Sequence, residues 1–427
     1  MLNAATHGLW ETTAPPAPET QAMSGNVTCD VVILGAGYTG LSTALHLAQR
    51  GIRVVVLEKN DIGFGGAGRN VGLVNAGMWV MPDELPKVLG DVHGERLLTL
   101  LGNAPSTVFD LVRAHEIDCQ LETSGTLHCG VGKAGLDELK AREAQWLKRG
   151  ANVCLLSPEE TAQTVGSHAY AGALLDLRAG TIQPLAYARG LAAAAIKAGA
   201  QIFTRTPASG VGFKPDGGYS AVTPKGRVFA DWVVLAMDAY CEGPFRMIGR
   251  EQVRLPYFNF ATEPLPADIR ATILPDRQGA WDTREVLSSF RMDRFGRLVF
   301  GSVGALHGTG AAIHRAWALR ALHRIFPQVG KVRFEAAWYG QIGMTDDNLP
   351  RLHKWHDRIV SVSGYNGRGI APGTVMGREI AALIAGDMAE DDLPLPVTVP
   401  REVKARAAKE MFYEIGAQAV HLIDSRF

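Results

Sequence analysis

Residues 35–40 follow the pattern G-x-G-x-x-G, whose residue types and spacing suit the binding of a diphosphate. Gly35 permits a tight strand-to-helix turn, Gly37 lets the backbone approach the phosphates, and Gly40 permits close packing of the helix on the strand. The N–H groups at the helix start then stabilise the phosphate charge. Glu58 lies 18 positions beyond Gly40, where a carboxylate can accept hydrogen bonds from both hydroxyls of an adenosine ribose. The spacing predicts a dinucleotide site, against the alternative of an accidental glycine-rich turn.

A second glycine-dense segment, residues 62–72, bears on which dinucleotide is bound. Its backbone amides would face an extended cofactor, with Arg69 near the phosphates; the alternative is a flexible surface loop. A third glycine-rich segment, residues 364–369, contains Arg368 and precedes a helical pattern at 374–385. The first motif alone permits NAD or FAD, whereas the second segment favours FAD.

Arg291 is the residue that we expect to bind a carboxylate if the substrate is an amino acid. It precedes a predicted strand at 297–301, and arginine binds carboxylates with two parallel hydrogen bonds. The alternative is an arginine at the rim of the site that pairs with Asp293. His128 is more typical of a satisfied structural histidine than of a base. Three aromatic residues are candidate walls of the substrate site, although each taken alone is more typical of a core residue: Tyr257, Trp281 and Tyr365.

Two kinds of pattern alternate along the chain and must position these residues. β-Branched runs at 30–34 and 52–57 flank a helical pattern at 38–50, which predicts a right-handed β-α-β unit. The same α/β pattern returns near 187–236 and 359–385, and strand-rich sequence occupies 246–345. We therefore expect an α/β protein in which a dinucleotide-binding fold is interleaved with an α+β substrate domain built on a mainly antiparallel sheet. The expected division is an extended N-terminal arm over 1–28, a cofactor domain over 29–82, 170–245 and 346–390, a substrate domain over 83–169 and 246–345, and a C-terminal tail over 391–427.

Composition excludes several other classes of protein. With 427 residues two domains are expected, and 43 basic against 43 acidic residues argue against a nucleic-acid partner. Five cysteines without a C-x-x-C pair suggest free thiols in a reducing compartment, and no cluster with metal-ligand spacing is present in the sequence. The first 28 residues lack the pattern of a signal peptide, and no apolar run reaches the roughly 18 residues of a membrane span. The expected location is the cytoplasm, with peripheral membrane contact left open.

The three glycine segments and Glu58 together resemble the D-amino-acid-oxidase superfamily of flavoproteins, which includes glycine, sarcosine and γ-glutamylputrescine oxidases. The resemblance covers roughly residues 29–390. Within it, the stretches at 68–77, 125–128, 179–184 and 281–289 are most similar to bacterial L-pipecolate oxidases. The resemblance implies FAD-dependent oxidation of a small secondary or cyclic amino acid, with hydride transfer to flavin N5 and an imine product, as in lysine catabolism. Two alternatives are a γ-glutamylputrescine-type amine oxidase and a non-catalytic flavin-binding subunit, and the acceptor would be dioxygen or a quinone.

The resemblance also implies roles for individual residues. The loop at 364–369 would meet the pyrimidine end of the flavin, where a helix N-terminus and Arg368, at a place often held by His in relatives, favour negative charge. FAD should be bound non-covalently, because no cysteine follows Cys241 and the early glycine loop has no histidine. Ala236 and Met237 stand where relatives often carry Thr-Gly, which puts that contact in doubt. The expected substrate residues are Arg291, Tyr257 and Tyr365, and the expected cofactor residues are Gly35, Gly37, Tyr38, Thr39, Gly40, Glu58, Lys59, Gly66, Arg69, Asn70, Val71, Val211, Gly367, Arg368, Gly369 and Ile370.

Overall fold

A seven-stranded, mostly parallel sheet forms the centre of one of the two main parts of the fold. The computed structural model describes residues 6–214 and 217–423, so the outermost parts of the predicted arm and tail lie outside the described residues. Only one neighbouring pair in this sheet is antiparallel. In spatial order its strands are Val397–Thr398, Arg351–His356, Ile359–Ser363, Trp232–Leu235, Val31–Leu34, Val54–Leu57 and Gln201–Phe203.

Helices cover this sheet and bury its apolar side chains. The helix Tyr38–Ala48 follows the first parallel strand directly and packs against the helix Ile370–Ala385. Their approach is so close that a Cβ at Gly377 would lie 2.6 Å from Thr39 O. Buried β-branched strands covered by helices are typical of parallel sheets. The helices Pro184–Lys197 and Leu85–Ala114, the latter kinked at Gly90, also contribute to this core, as do Leu139 and Trp146 of the helix Gly132–Leu147.

An eight-stranded sheet forms the second half, and all but one of its neighbouring pairs are antiparallel. In spatial order its strands are Phe334–Met344, Val253–Thr262, Leu298–Val303, Ser288–Met292, Gly279–Asp282, Thr126–Gly130, Gly172–Asp176 and Val153–Leu156. Its helices are Gly132–Leu147, Pro158–Val165, Ala267–Arg270 and Gly310–Ile325. The predicted α/β architecture with interleaved cofactor and substrate parts is confirmed, because each large sheet draws its strands from separated stretches of the chain.

Smaller elements complete the fold. The chain turns at Asp231, so that the strands Gly226–Ala230 and Trp232–Leu235 on either side belong to different sheets. The four-stranded sheet has the order Val27–Thr28, Gly226–Ala230, Tyr219–Thr223 and Gly210–Phe213, and a two-stranded sheet joins Leu73–Val74 to Gly180–Thr181. Short 3₁₀ helices lie at Gly66–Gly68, Asp238–Tyr240, Gly243–Phe245, Ile248–Glu251, Pro327–Val329 and Glu390–Asp392.

Both ends of the chain contain a helix that packs on the body. In the segment predicted as an arm with little regular structure, Leu9–Thr13 is helical and Trp10 is fully buried. In the predicted tail, Arg406–Ile423 is an amphipathic helix that packs on the strand Val253–Thr262 and the helix Gly310–Ile325. Among the described residues, no helix has the length and apolarity needed to cross a membrane.

Candidate functional site

A cavity of about 1260 Å³ is lined by residues from both large sheets. At one end it reaches Leu34 and Leu57, where two parallel strands finish. The carboxyl ends of parallel strands are the usual ligand-binding edge of such a sheet. At the other end it meets strands of the eight-stranded sheet, including Tyr257 and Ser289. One continuous space therefore joins the predicted dinucleotide motif to the predicted substrate region.

The first glycine motif forms the turn that its spacing predicts. Gly35 has a φ of +111°, and a Cβ there would lie 2.6 Å from Ala236 O. A Cβ at Gly40 would overlap Gly35 O, so the glycine allows helix and strand to touch. Gly37 differs from both, because its φ of −91° suits any residue and a Cβ would meet only Ala67 Cβ, at 3.8 Å. The space beside Gly37 belongs to the cavity, whose wall also includes Tyr38 and Thr39 at the start of the helix.

Glu58 is fixed at the cavity wall by the backbone. Its Oε2 accepts a hydrogen bond from Ala36 N–H at 2.8 Å, and its Oε1 accepts one from Asn60 N–H at 2.8 Å. Burial raises the pKa of Glu58, while the two backbone hydrogen bonds act in the opposite direction. Each carboxylate oxygen keeps a free lone pair, so the side chain can still accept bonds from two hydroxyls.

The second glycine segment is ordered by its own side chains rather than being a flexible loop. Asn70 donates from Nδ2 to Gly66 O at 2.9 Å, and its Oδ1 accepts from Gly72 N–H at 2.8 Å. The Arg69 guanidinium lies over the Phe64 ring, 4.7 Å from its centroid. Arg69 and Asn70 both line the cavity, between the dinucleotide motif and the substrate region.

The third glycine segment meets the first motif across the cavity. Tyr365 Oη lies 2.6 Å from Thr39 Oγ1, which joins the two segments by a hydrogen bond. The helix after the loop begins at Ile370, four residues earlier than the predicted 374. Its N-terminus consequently lies beside the cavity, where Gly367, Gly369 and Ile370 line the wall.

Most predicted cofactor residues lie together at this cavity, and two do not. Gly40 lies behind the wall, where it serves helix–strand packing. Val211 lies on the four-stranded sheet, paired with Ala221, and Pro207 and Ala208 line the cavity instead. The predicted cofactor residues that line the cavity are Gly35, Gly37, Tyr38, Thr39, Glu58, Lys59, Gly66, Arg69, Asn70, Val71, Gly367, Arg368, Gly369 and Ile370.

Arg291 does not line the cavity, unlike the position that we expected from the sequence. Its side chain is fully buried, donates from Nη1 to Ile182 O, and lies 5.8 Å from the Trp10 ring. The N-terminal segment covers it, and the sequence contains no signal for that long-range contact. Its neighbour on the same strand, Ser289, does face the cavity and lies 2.7 Å from Tyr257 Oη.

Arg368 is the buried cation that does line the cavity. It is 8% exposed, and its guanidinium lies 4.5 Å from the Trp79 ring and 5.3 Å from the Trp281 ring. The one hydrogen bond of its side chain within the described residues runs from Nη1 to Ala76 O at 3.3 Å, and its Nε has no partner there. Burial and the charge of Arg142 lower the pKa of Arg368 to about 9, so it stays cationic at neutral pH.

His128 lies beside this arginine as an uncharged ring. It stacks on Trp281 with ring centroids 4.8 Å apart, and its Nδ1 has no partner in the described part of the chain. Burial, followed by the charges of Arg142 and Arg368, lowers the pKa of His128 well below its usual range. At this end of the cavity, the Arg368 cation therefore lies beside the aromatic rings of Trp79, Trp281 and the uncharged His128.

Sequence reasoning missed several residues of the site. Trp79 lies in no recognisable sequence motif, and only its contact with Arg368 places it at the site. The C-terminal helix contributes Phe412, Tyr413 and further residues to the cavity wall, although the tail was expected to lie outside the part of the chain covered by the family resemblance. The amphipathic pattern of 406–423 is the signal that could have predicted this helix. Across the described ranges 6–214 and 217–423, no group of three or more potential metal ligands is found.

Asp238 is another residue of the site to which the sequence assigned no role. Its Oδ1 accepts a hydrogen bond from Gly364 N–H at 2.7 Å, which anchors the third glycine segment. Burial raises the pKa of Asp238 to about 6. An aspartate in an unfolded chain titrates near ~3.9, so the folded protein binds this proton more tightly. The stability of the apoprotein is therefore expected to fall as the pH rises from about 4 towards 6.

Asp238→Asn is expected to remove this pH dependence, because the amide oxygen can still accept from Gly364. At pH 8 the variant should be more stable than the wild-type apoprotein by up to roughly 3 kcal/mol, an upper limit because one face of the side chain lines the cavity. At pH 4 the two should be nearly equal. Urea unfolding at both pH values measures the difference. Equal differences at pH 4 and pH 8 would show that the carboxyl does not titrate as stated.

Comparisons with known proteins agree with this geometry. The family model described as DAO, FAD dependent oxidoreductase, matches residues 30–383. An oxidoreductase called OrdL from Haemophilus influenzae is 29% identical over 401 residues, covering 92% of each chain. The gamma-glutamylputrescine oxidoreductase of Escherichia coli is 30% identical over 370 residues, 86% of this chain and 85% of that protein. The crystal structure of glycine oxidase from Geobacillus kaustophilus superposes with a TM-score of 0.72 at 21% identity, over 88% of this chain and all of the other.

Proposed function

The chain belongs to the DAO family of FAD-dependent oxidoreductases, and we propose that its substrate is a small secondary or cyclic amino acid resembling L-pipecolate. That substrate would place the enzyme in lysine catabolism. The family accounts for FAD and for action on an amine or amino acid. The choice of an amino acid depends on one observation, the cationic side chain of Arg368 in the aromatic end of the cavity.

The residues of the cavity fit FAD. The open space beside Gly37, which a Cβ would fill, suits a diphosphate at the helix N-terminus. Glu58 offers two oxygens to a ribose, and the loop at 364–369 lies at the far side. When bound, FAD supplies the acceptor for a hydride from the carbon next to the substrate nitrogen, so that an imine remains. The protein's own contribution is then to bind and orient the substrate.

Arg368 takes the role for which the sequence suggested Arg291. The planar guanidinium lies near the rings of Trp79 and Trp281, and its positive charge attracts a carboxylate. No acidic side chain makes a hydrogen bond or ion pair with it within the described chain. The aromatic rings around it would contact the apolar part of a small ring or alkyl group.

Tyr257 and Tyr365 are proposed as walls of the substrate site rather than as bases. Tyr365 is bound to Thr39 and burial raises its pKa well above the ordinary value, so it stays a neutral hydrogen-bonding group. The Tyr257 hydroxyl likewise makes a hydrogen bond with the Ser289 hydroxyl. The Tyr365 phenol therefore does not act as a base towards a substrate ammonium group at neutral pH.

A second candidate substrate is a γ-glutamylated amine. The observation that favours it is the 30% identity to the Escherichia coli gamma-glutamylputrescine oxidoreductase over most of both chains. Such a substrate carries its carboxylate far from the reacting nitrogen. The two candidates therefore place the negative charge at different distances from the oxidised carbon.

Anaerobic reduction of the bound flavin tests the proposal directly. L-Pipecolate, L-proline and sarcosine are expected to bleach the flavin absorbance, with L-pipecolate the fastest. The panel should include D-pipecolate, γ-glutamylputrescine and putrescine under the same conditions. Rapid bleaching by γ-glutamylputrescine alone would replace the main candidate with the second one. If no member of the panel bleaches the flavin, the proposed substrate class is wrong.

A further inference from the structure

The N-terminal segment at residues 7–15 packs against the second glycine segment and the start of the helix Pro184–Lys197. Trp10 is fully buried, and its ring lies 5.3 Å from the Trp338 ring at an angle of 70°. The segment precedes residue 30, where the match to the family model begins. Its contacts are therefore a property of this chain beyond the part that the family model describes. We call residues 7–15 the latch.

Two consecutive carbonyl groups of the second glycine segment accept hydrogen bonds from buried indoles. Trp10 donates from Nε1 to Asn70 O at 2.9 Å, and Trp338 donates from Nε1 to Arg69 O at 2.9 Å. In a trans peptide the C=O of one residue and the N–H of the next point in opposite directions. Fixing these two oxygens thus aims the N–H groups of Asn70 and Val71 away from the indoles. Both residues line the cavity.

Other contacts hold the latch to the body of the protein. Gln183 donates from Nε2 to Trp10 O at 2.9 Å. Arg189 pairs with Glu11 at 2.6 Å and donates to Pro15 O at 2.9 Å. His7 bridges Glu11 and the glycine segment, because its Nε2 lies 3.3 Å from Phe64 O. The latch therefore connects the helix Pro184–Lys197 to the segment at 64–72.

We propose that the latch holds the glycine segment in the conformation that binds FAD, and that Trp10 is a positioning residue for the cofactor. The inference rests on the assignment of residues 65–72 to FAD and is independent of the substrate. A buried tryptophan also fills space, and a role limited to core packing would lower the stability without changing the cofactor affinity. The two roles can be separated because the indole N–H holds the glycine segment through its hydrogen bond to Asn70 O, whereas the ring contributes to core packing.

Trp10→Phe keeps an aromatic ring but removes the donor to Asn70. We expect the Kd for FAD to rise about 3- to 10-fold, the effect of losing one hydrogen bond. Hydrogen exchange of the apoprotein should become faster at residues 65–72. Apoprotein reconstituted with FAD and followed by flavin fluorescence gives the Kd. Trp317→Phe is the matched control, since Trp317 is equally buried but packs on Phe258 and His421.

The control should lose thermal stability and keep its Kd for FAD. Deletion of residues 1–15 should raise the Kd more than Trp10→Phe does, and the point variant keeps the test valid if the deletion does not fold. A Kd within twofold of wild type for Trp10→Phe, with exchange at 65–72 unchanged, would overturn the proposal. Neither measurement depends on turnover, so failure here is distinct from failure of the proposed substrate class.

Discussion

Replacement of Arg368 by glutamine is expected to lower kcat/KM for L-pipecolate about 100- to 1000-fold, while kcat/KM for piperidine stays within about threefold of the wild type. The loss corresponds to removing one partner of a buried, hydrogen-bonded charge pair, which costs roughly 2–5 kcal/mol. Piperidine has the same ring and nitrogen but no carboxylate, so it makes no use of the guanidinium. Rates of anaerobic flavin reduction with the two compounds measure the difference.

Two further variants make this expectation specific. Arg368→Lys keeps the charge but loses the planar group that lies between Trp79 and Trp281, so its loss should be intermediate. Arg291→Met should lower thermal stability and affect both compounds alike, because that side chain does not reach the cavity. Equal losses for the two compounds in Arg368→Gln would contradict the carboxylate role. A selective loss in Arg291→Met would restore the interpretation made from the sequence.

Gly37→Ala is expected to raise the Kd for FAD at least 100-fold, about 3 kcal/mol, without destabilising the apoprotein. The φ of −91° at this position is open to alanine, and its Cβ would meet only Ala67 Cβ, at 3.8 Å. The new methyl group would instead occupy the space that the diphosphate needs beside the helix N-terminus. Titration of the apoprotein with FAD gives the Kd, and differential scanning calorimetry without FAD gives the Tm.

Gly40→Ala is the matched control within the same motif. A Cβ at Gly40 would overlap Gly35 O, so that variant should be less stable than the wild type both as the apoprotein and with FAD bound. Gly37→Ala should show the reverse pattern, with an apoprotein Tm close to the wild-type value. Unchanged FAD affinity in Gly37→Ala would show that the diphosphate does not bind in this part of the cavity.

Local chemistry explains why much of the cofactor region could be predicted. The turn at Gly35, the contact at Gly40 and the acid at Glu58 all depend on residues within one β-α-β unit, where spacing determines position. The capping box that joins Ser157 and Glu160 depends on local chemistry in the same way, since both of its hydrogen bonds are local. Alternating buried strands and amphipathic helices were sufficient to predict the interleaved α/β fold.

Long-range packing explains the parts that could not be predicted. Arg291 was expected to precede a strand, but it lies within the strand Ser288–Met292, buried and 5.8 Å from the ring of Trp10, which is nearly three hundred residues away in sequence. Arg368 was assigned to the flavin loop, and only the approach of Trp79 and Trp281 shows it enclosed by rings. Val211 lies on a different sheet from the cavity, a placement that strand pairing alone decides.

The sequence by itself determined the cofactor class and the fold, because a dinucleotide site is built from glycines and an acid at short, regular spacing. Only the tertiary structure decided which cation faces the cavity, since burial of a guanidinium depends on what the rest of the chain lays over it. The tertiary structure also decided where the N-terminal and C-terminal segments pack. Trp10 and the helix Arg406–Ile423 pack on the body through contacts that no local pattern specifies.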